Sequence, residues 1–475
     1  MKKNFIYNLI YQILILILPI ITMPYISRTL GVEQSGIYAY TYSIVYYFII
    51  FSMLGLNNYG NRTIAKVKDD KETLSKEFFN IYCVQVISSV LMLVLYIGYI
   101  LVIKPGYQLI ALIQTIYIIS CIFDINWFYF GIEKFKLTVT RNTIIKIISL
   151  IFIFVFVKRP EDLWKYTLIM SCSNLVSNLL LFAFLKRFIS RPKLSKKEIC
   201  KHIKPNLILF LPVIAVSIYR MMDKIMLGLQ SNVMEVGYYE YAEKAVNIPL
   251  TIITALGTVM LPRVSNMVSN QEEDKIKKLI RKTMSFVMFM ACPMFWGLIA
   301  IANDFTICFF GNEYLKTGCI IQILAITIPF LSWGNVIRTQ YLIPKERDKD
   351  YVISAYLGAV VNFIFNLNFI PKWGSIGACI GTVIAEFLVM FYQSFVIRKE
   401  IEIKTYIKDS MSFFIKALLM FIAIIIIGQY IDNIYIKIVV QVSIGAFIYC
   451  ILNIKYIFNI LNIKDKINNR KKVSK

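Results

Sequence analysis

Residues 217–246, SIYRMMDKIMLGLQSNVMEVGYYEYAEKAV, read as the end of one apolar helix, a short turn and the start of another. Six charges interrupt them: Arg220, Asp223, Lys224, Glu240, Glu243 and Lys244. A charge at the centre of a membrane-spanning helix costs about 2.5–3.5 kcal/mol on insertion scales, so a cluster of charges is expected to face protein or water, not lipid. At helical spacing Ser217, Arg220, Lys224 and Gly228 share one face, and Glu240, Glu243, Lys244 and Asn247 share one on the next helix. Two neighbouring polar stripes predict a wet cavity inside a membrane bundle. The plainer reading is local pairing that only fixes packing, Glu240 with Lys244 and Asp223 with Arg220. The stripe is longer than packing alone needs.

The composition is that of an all-α polytopic membrane protein, with 58% hydrophobic residues and a mean hydropathy of +0.65. Nine cysteines are scattered without a C-x-x-C pair, and His202 is the single histidine. That argues against zinc, haem or a disulfide framework, and no cofactor is expected. In a soluble chain a net charge of +24 would point to nucleic acid. Here most cations lie between apolar spans, where positive-inside bias accounts for them, so no nucleic-acid partner is expected.

A spanning helix needs about twenty apolar residues. Fourteen such segments follow one another: 5–27, 37–58, 79–103, 108–130, 142–158, 163–185, 206–229, 237–262, 284–308, 318–343, 351–371, 374–397, 411–430 and 434–458. The first is too long for a signal peptide and lacks a small-x-small cleavage site, so it reads as an uncleaved span. With cations at span edges counted in the adjoining loop, 38 of the 52 Lys and Arg lie on the N-terminal side and 8 on the other. This places both termini in the cytoplasm of a cell-membrane protein. The most basic loop, 186–204, is expected to anchor the topology at anionic lipid headgroups.

The two halves echo each other. Leu30-Gly31 and the later Gly36-Ile-Tyr38 recur as Leu227-Gly228 and Gly237-Tyr-Tyr239, the first pair offset by 197 residues. Six spans repeated by six is the plan of an alternating-access carrier. The expected division is an N-lobe at 1–185, a basic linker at 186–205, a C-lobe at 206–397, two further spans at 398–458 and a basic tail at 459–475. Polar positions on inner helices include Asn4, Asn8 and Gln12 in span one and Asn362 and Asn366 in span eleven. Arg338 and Glu386 are isolated charges in spans ten and twelve. Taken singly, each is a common helix–helix hydrogen-bonding group. Pro19, Pro24, Pro205 and Pro212 mark places where helices are expected to bend. The tyrosines of 38–47 and 238–241 read as interfacial belts or as stacking platforms for sugars.

Several motifs in order carry a family resemblance. They are Arg28-Thr-Leu-Gly31-Val-Glu33-Gln-Ser-Gly36, Leu54-Gly55-Leu56 through Gly60-Asn-Arg62, Asp223-Lys-Ile-Met-Leu-Gly228, Glu235-Val-Gly237-Tyr, Phe310-Gly-Asn-Glu313-Tyr, and Pro371-Lys-Trp-Gly374-Ser-Ile-Gly377-Ala followed by Glu386. The chain resembles polysaccharide flippases of the Wzx type, in the superfamily of multidrug, oligosaccharidyl-lipid and polysaccharide exporters. The resemblance covers the first twelve spans. It implies two six-helix lobes around a cavity open alternately to each side. It also implies a cargo of oligosaccharide repeat units on undecaprenyl pyrophosphate, moved outward for capsule or other surface polysaccharide. Partners of such a carrier are the lipid-linked oligosaccharide, membrane lipids, and polymerase and chain-length machinery. The candidates matching its cationic cavity are Arg220, Lys224, Arg28, Lys244 and Arg338. Asp223, Glu240, Glu243 and Glu386 are the cavity carboxylates available for ion coupling.

Charge chemistry bears on the alternatives. An organic-cation exporter of the same fold would want unpaired carboxylates, whereas the seventh span has two cations to one anion. A peptidoglycan-precursor or teichoic-acid flippase fits the same pattern, since the headgroup is again a lipid phosphate. A membrane polymerase or glycosyltransferase would need a large external loop or a cytoplasmic carboxylate metal site, and the sequence has neither. No G-x-x-x-x-G-K-[ST] loop is present, so an ATPase is not expected.

Overall fold

The computed structural model describes residues 2–103, 107–190 and 195–460. Side chains are described from Leu18 onward, except at 103, 135, 212, 215, 216, 218–220, 258 and 259. The described residues are helical, joined by turns, with no strand among them.

Hydrocarbon offers no partner to a free N–H or C=O, and a helix satisfies these groups within itself. The chain accordingly forms α1 (Lys2–Met53), α2 (Leu56–Val67), α3 (Lys71–Ile103), α4 (Gln108–Ile122), α5 (Asn126–Gly131) and α6 (Phe135–Phe156). It continues with α7 (Leu163–Leu185), α8 (Lys196–Lys201), α9 (Ile203–Gln230), α10 (Val233–Ser269), α11 (Glu273–Phe309) and α12 (Leu315–Ala325). The remainder is α13 (Thr327–Ile337), α14 (Asp348–Trp373), α15 (Ser375–Ile397), α16 (Ile403–Gly428) and α17 (Ile434–Leu452).

Among the described residues, eleven helices are long and apolar enough to cross a membrane, or twelve with one bent pair taken as a span. Dividing α1 at its break and adding the 28-residue α9 restores the fourteen expected segments. That break falls at Gly31, with φ 74° and ψ 176°, while Pro19 and Pro24 lie inside the helix. The backbone there suits a residue without Cβ. Span ten is not one straight helix: α12 and the segment 327–342 meet at 41°. Outward-facing apolar side chains such as Val102 (81% exposed) and Phe447 (67%) suit acyl-chain surroundings.

The chain packs as two compact units, Met1–Glu240 with Asn366–Ser375, and Tyr241–Phe365 with Ile376–Lys475. These units do not follow the sequence halves, because α1 packs on α9 and the start of α10. A Cβ on Gly36 would lie 1.8 Å from the Val233 carbonyl oxygen, and one on Gly237 would lie 2.3 Å from that of Val32. Small residues let these backbones touch.

In the first unit Phe78, Trp127, Phe128 and Tyr129 form a fully buried aromatic core. The Trp127 indole N–H donates to Gln85 Oε1 at 2.9 Å. Gln85 in turn donates to the carbonyls of Cys121 and Asp124, at 2.6 and 3.0 Å. These bonds satisfy the backbone at the break between α4 and α5 and hold Asp124 and Asn126 in place. In the second unit α16 and α17 pack on α11, with the Tyr449 hydroxyl donating to the Phe289 carbonyl at 2.9 Å.

Candidate functional site

Only two residues join α9 to α10, so the end of one faces the start of the other. Asn232 in that turn caps α10 by accepting the Glu235 N–H at 3.0 Å. Lys224 Nζ lies 2.5 Å from Glu240 Oε2. Asp223 accepts hydrogen bonds from the Tyr239 hydroxyl at 2.6 Å and from the Asn366 amide at 2.5 Å. Asp223 and Lys224 are only 3% and 6% exposed. Burial at this depth is tolerated because each charge meets an opposite charge or directed donors. Along single helices the spacing offers only Lys244 for Glu240 and Arg220 for Asp223. The structure adds a pair across helices and brings in α14, 143 residues from Asp223.

Nearby, Glu235 accepts from the Ser375 N–H at 2.8 Å and from its hydroxyl at 2.5 Å, capping the start of α15. Gly374 precedes this cap with φ 57°, and a Cβ on it would lie 2.6 Å from the Glu235 carboxylate. The tyrosines of α1 pack largely on aromatic neighbours. Tyr38 stacks on Tyr42 and meets Tyr166 edge-on, with centroids 5.8 and 4.9 Å apart, while the Tyr40 ring covers Gly228.

The remaining candidates are dispersed. Arg220 belongs to α9, but its side chain lies outside the described residues, as do those of Asn4, Asn8 and Gln12. Arg28 is exposed, three residues before the α1 break. Glu243 and Lys244 are half-buried on α10, with the Lys244 ammonium 5.1 Å from the Tyr241 ring centre. Arg338 is half-buried in a π turn, Arg338–Leu342, 5.7 Å from the Tyr351 ring centre. Glu386 is buried in α15. Arg28, Asp223, Lys224 and Glu240 thus belong to the first unit, and Glu243, Lys244, Arg338 and Glu386 to the second.

A second polar centre in the first unit was not among the sequence candidates. α1, the α4–α5 break, α5, α6 and α7 line an open cavity of about 520 Å³. Arg141 donates to Asn126 at 3.0 Å and to Asn142 at 2.6 Å. The Asn126 N–H and amide donate to Asp124 at 3.1 and 2.6 Å. Ser177 donates to Asn142 at 3.2 Å, and Lys146 lines the same space. The available signal was Asp124 and Asn126 inside one apolar run and Lys146 inside the next.

A family described as polysaccharide biosynthesis protein matches residues 1–268, more than half of the chain. The chain belongs to that family. It is 24% identical over 398 residues to a Shigella dysenteriae protein named as an O-antigen transporter, covering 82% of this chain and 98% of the relative. An Escherichia coli K12 protein with the same designation is 23% identical over 396 residues, covering 82% and 94%. Among solved structures, an inward closed conformation of the lipid II flippase MurJ aligns with a TM-score of 0.80 at 17% identity, covering 97% of this family member and 100% of that chain. The family agrees with the resemblance read from the motifs, and the fold is shared with that flippase structure.

Proposed function

We propose that this family member is a flippase for lipid-linked oligosaccharides. It carries repeat units on undecaprenyl pyrophosphate from the cytoplasmic to the outer leaflet by alternating access, for surface polysaccharides such as capsule. The observation that carries this reading is the buried Lys224–Glu240 pair beside Asp223, within a family of polysaccharide biosynthesis proteins. Membrane helices do not hold such charges for packing alone at low cost.

In the empty carrier Glu240 serves as the counter-ion of Lys224. An arriving diphosphate takes its place, offering the ammonium a stronger, more highly charged partner. Arg220 adds a second cation, and Arg28, Lys244 and Arg338 act along the path. Glu243 and Glu386, with Asp223, are the groups available for ion coupling. The lipid tail stays in the bilayer while the head crosses. With the cell interior negative, outward movement of an anion is downhill by about 2.3 kcal/mol per charge per 100 mV, so the potential drives transport without ATP. Both termini lie in the cytoplasm, where loading occurs, and polymerase and chain-length machinery receive the product outside.

The test is deletion of the gene followed by lipid extraction. Accumulation of a complete lipid-linked oligosaccharide on the cytoplasmic leaflet is expected. Absence of that lipid together with heightened sensitivity to cationic drugs would transfer the assignment to a drug exporter.

A further inference from the structure

The cavity of the first unit has the features of a binding site in its own right. Its volume of about 520 Å³ falls within the range of roughly 300–1,000 Å³ typical of small-molecule pockets. It runs along α6 from Arg141 to Ile153, a rise of about 18 Å of helix. That is far longer than a bound ion needs.

Its wall is chemically mixed. Arg141 and Lys146 bring two cations and Asp124 one carboxylate, a surplus of one positive charge. Asn142, Asn174 and Asn178 supply amides, each able to donate and accept at once. Sugar hydroxyls also donate and accept, so amides beside a guanidinium are matched partners for them. The Asp124–Asn126–Arg141–Asn142 chain of hydrogen bonds holds Arg141 in position. Arg141 is 8% exposed, so its charge already sits in a low-dielectric setting where an anion is attracted strongly. The end of the cavity at Arg141 is the one that the charge bias of the loops assigns to the cytoplasm.

We infer that this cavity is a loading subsite for the anionic, polyhydroxylated head of the transported lipid, with Arg141 and Lys146 meeting its negative charge. The inference rests on the flippase reading above. Two parts of such a head carry the required chemistry, the diphosphate and an acidic sugar.

The full-length protein in lipid nanodiscs is titrated calorimetrically with inorganic pyrophosphate, glucuronate and glucose. Saturable binding of at least one anion is expected, with glucose at least tenfold weaker. The stronger anion identifies the source, pyrophosphate for the lipid diphosphate and glucuronate for the sugar. Lys146→Gln and Arg141→Gln should each weaken anion binding at least tenfold. Because Arg141 also holds Asn126 and Asn142, Arg141→Lys serves as the second variant and should retain most of the affinity. No saturable anion binding, or equal binding by the Lys146→Gln protein, overturns the subsite. In cells, wild-type export by a Lys146→Gln chain also overturns it, provided that deletion still traps the lipid-linked oligosaccharide. If deletion traps no such lipid, the flippase reading itself fails.

Discussion

Lys224 on α9 and Glu240 on α10 hold each other at 2.5 Å, with 8% and 15% of their side chains exposed. Sixteen positions apart in sequence, they are brought together by the two-residue turn between their helices. Breaking a buried pair by removing one partner costs about 3–5 kcal/mol, whereas replacing both with neutral groups is often tolerated. Lys224→Gln should therefore lower the thermal midpoint of the purified protein, and the double variant Lys224→Gln/Glu240→Gln should recover most of it. Export should stay lost in the double variant at normal membrane abundance. Full export by that variant would refute a role for Lys224 in gripping cargo.

Asp223 depends on the donors Tyr239 and Asn366. Removing one of them weakens the satisfaction of a buried carboxylate. Tyr239→Phe and Asn366→Leu should each destabilise by about 1–2 kcal/mol. Thermal unfolding in detergent measures this, and unchanged midpoints in both variants would contradict the network.

The approach of α1 to α10 needs Gly36, whose added Cβ would overlap the Val233 carbonyl. Gly36→Ala should cost about 1–3 kcal/mol through overpacking. Gly98→Ala is the control: nothing lies within 4 Å of its Cβ position, and a mid-helix alanine should gain about 0.5–1 kcal/mol. Thermal midpoints should move in opposite directions.

His202 accepts or donates at 2.8 Å with the Tyr59 hydroxyl and lies 3.6 Å from Glu77. Burial holds its imidazole below the ordinary value, outweighing the opposing pull of Glu77 and Glu198. The unfolded chain then binds the proton more readily. The stabilising contribution is full above about pH 6.5 and is lost as pH falls toward the lower folded value. Wild-type stability should drop between pH 7.5 and 5.5, and His202→Gln should drop less. Equal slopes would contradict this.

Orientation is tested with reporter fusions. A reporter after Asp432, in the turn between α16 and α17, should score external. One after Lys193, which lies outside the described residues, should score cytoplasmic. The reverse pattern would invert the topology.

The sequence by itself determined the fold class, the places of the membrane helices and the charged pair α9–α10, because hydropathy over about twenty residues and helical spacing are local properties. It also carried the family, through ordered glycines and charges whose positions survive without knowledge of their contacts. The partners of those charges were another matter. Glu240 for Lys224 and Asn366 for Asp223 come from different helices, and no spacing rule along one helix finds them. The cavity around Arg141 was hidden for the same reason, since Asp124, Asn142 and Ser177 reach it from the α4–α5 break, α6 and α7. The 41° bend after Ala325 did have a local mark, Pro329, which lacks the N–H that would bond to the Ala325 carbonyl four residues earlier. Which polar groups meet in a membrane bundle is set by long-range packing of rigid helices, and only the tertiary structure decides it.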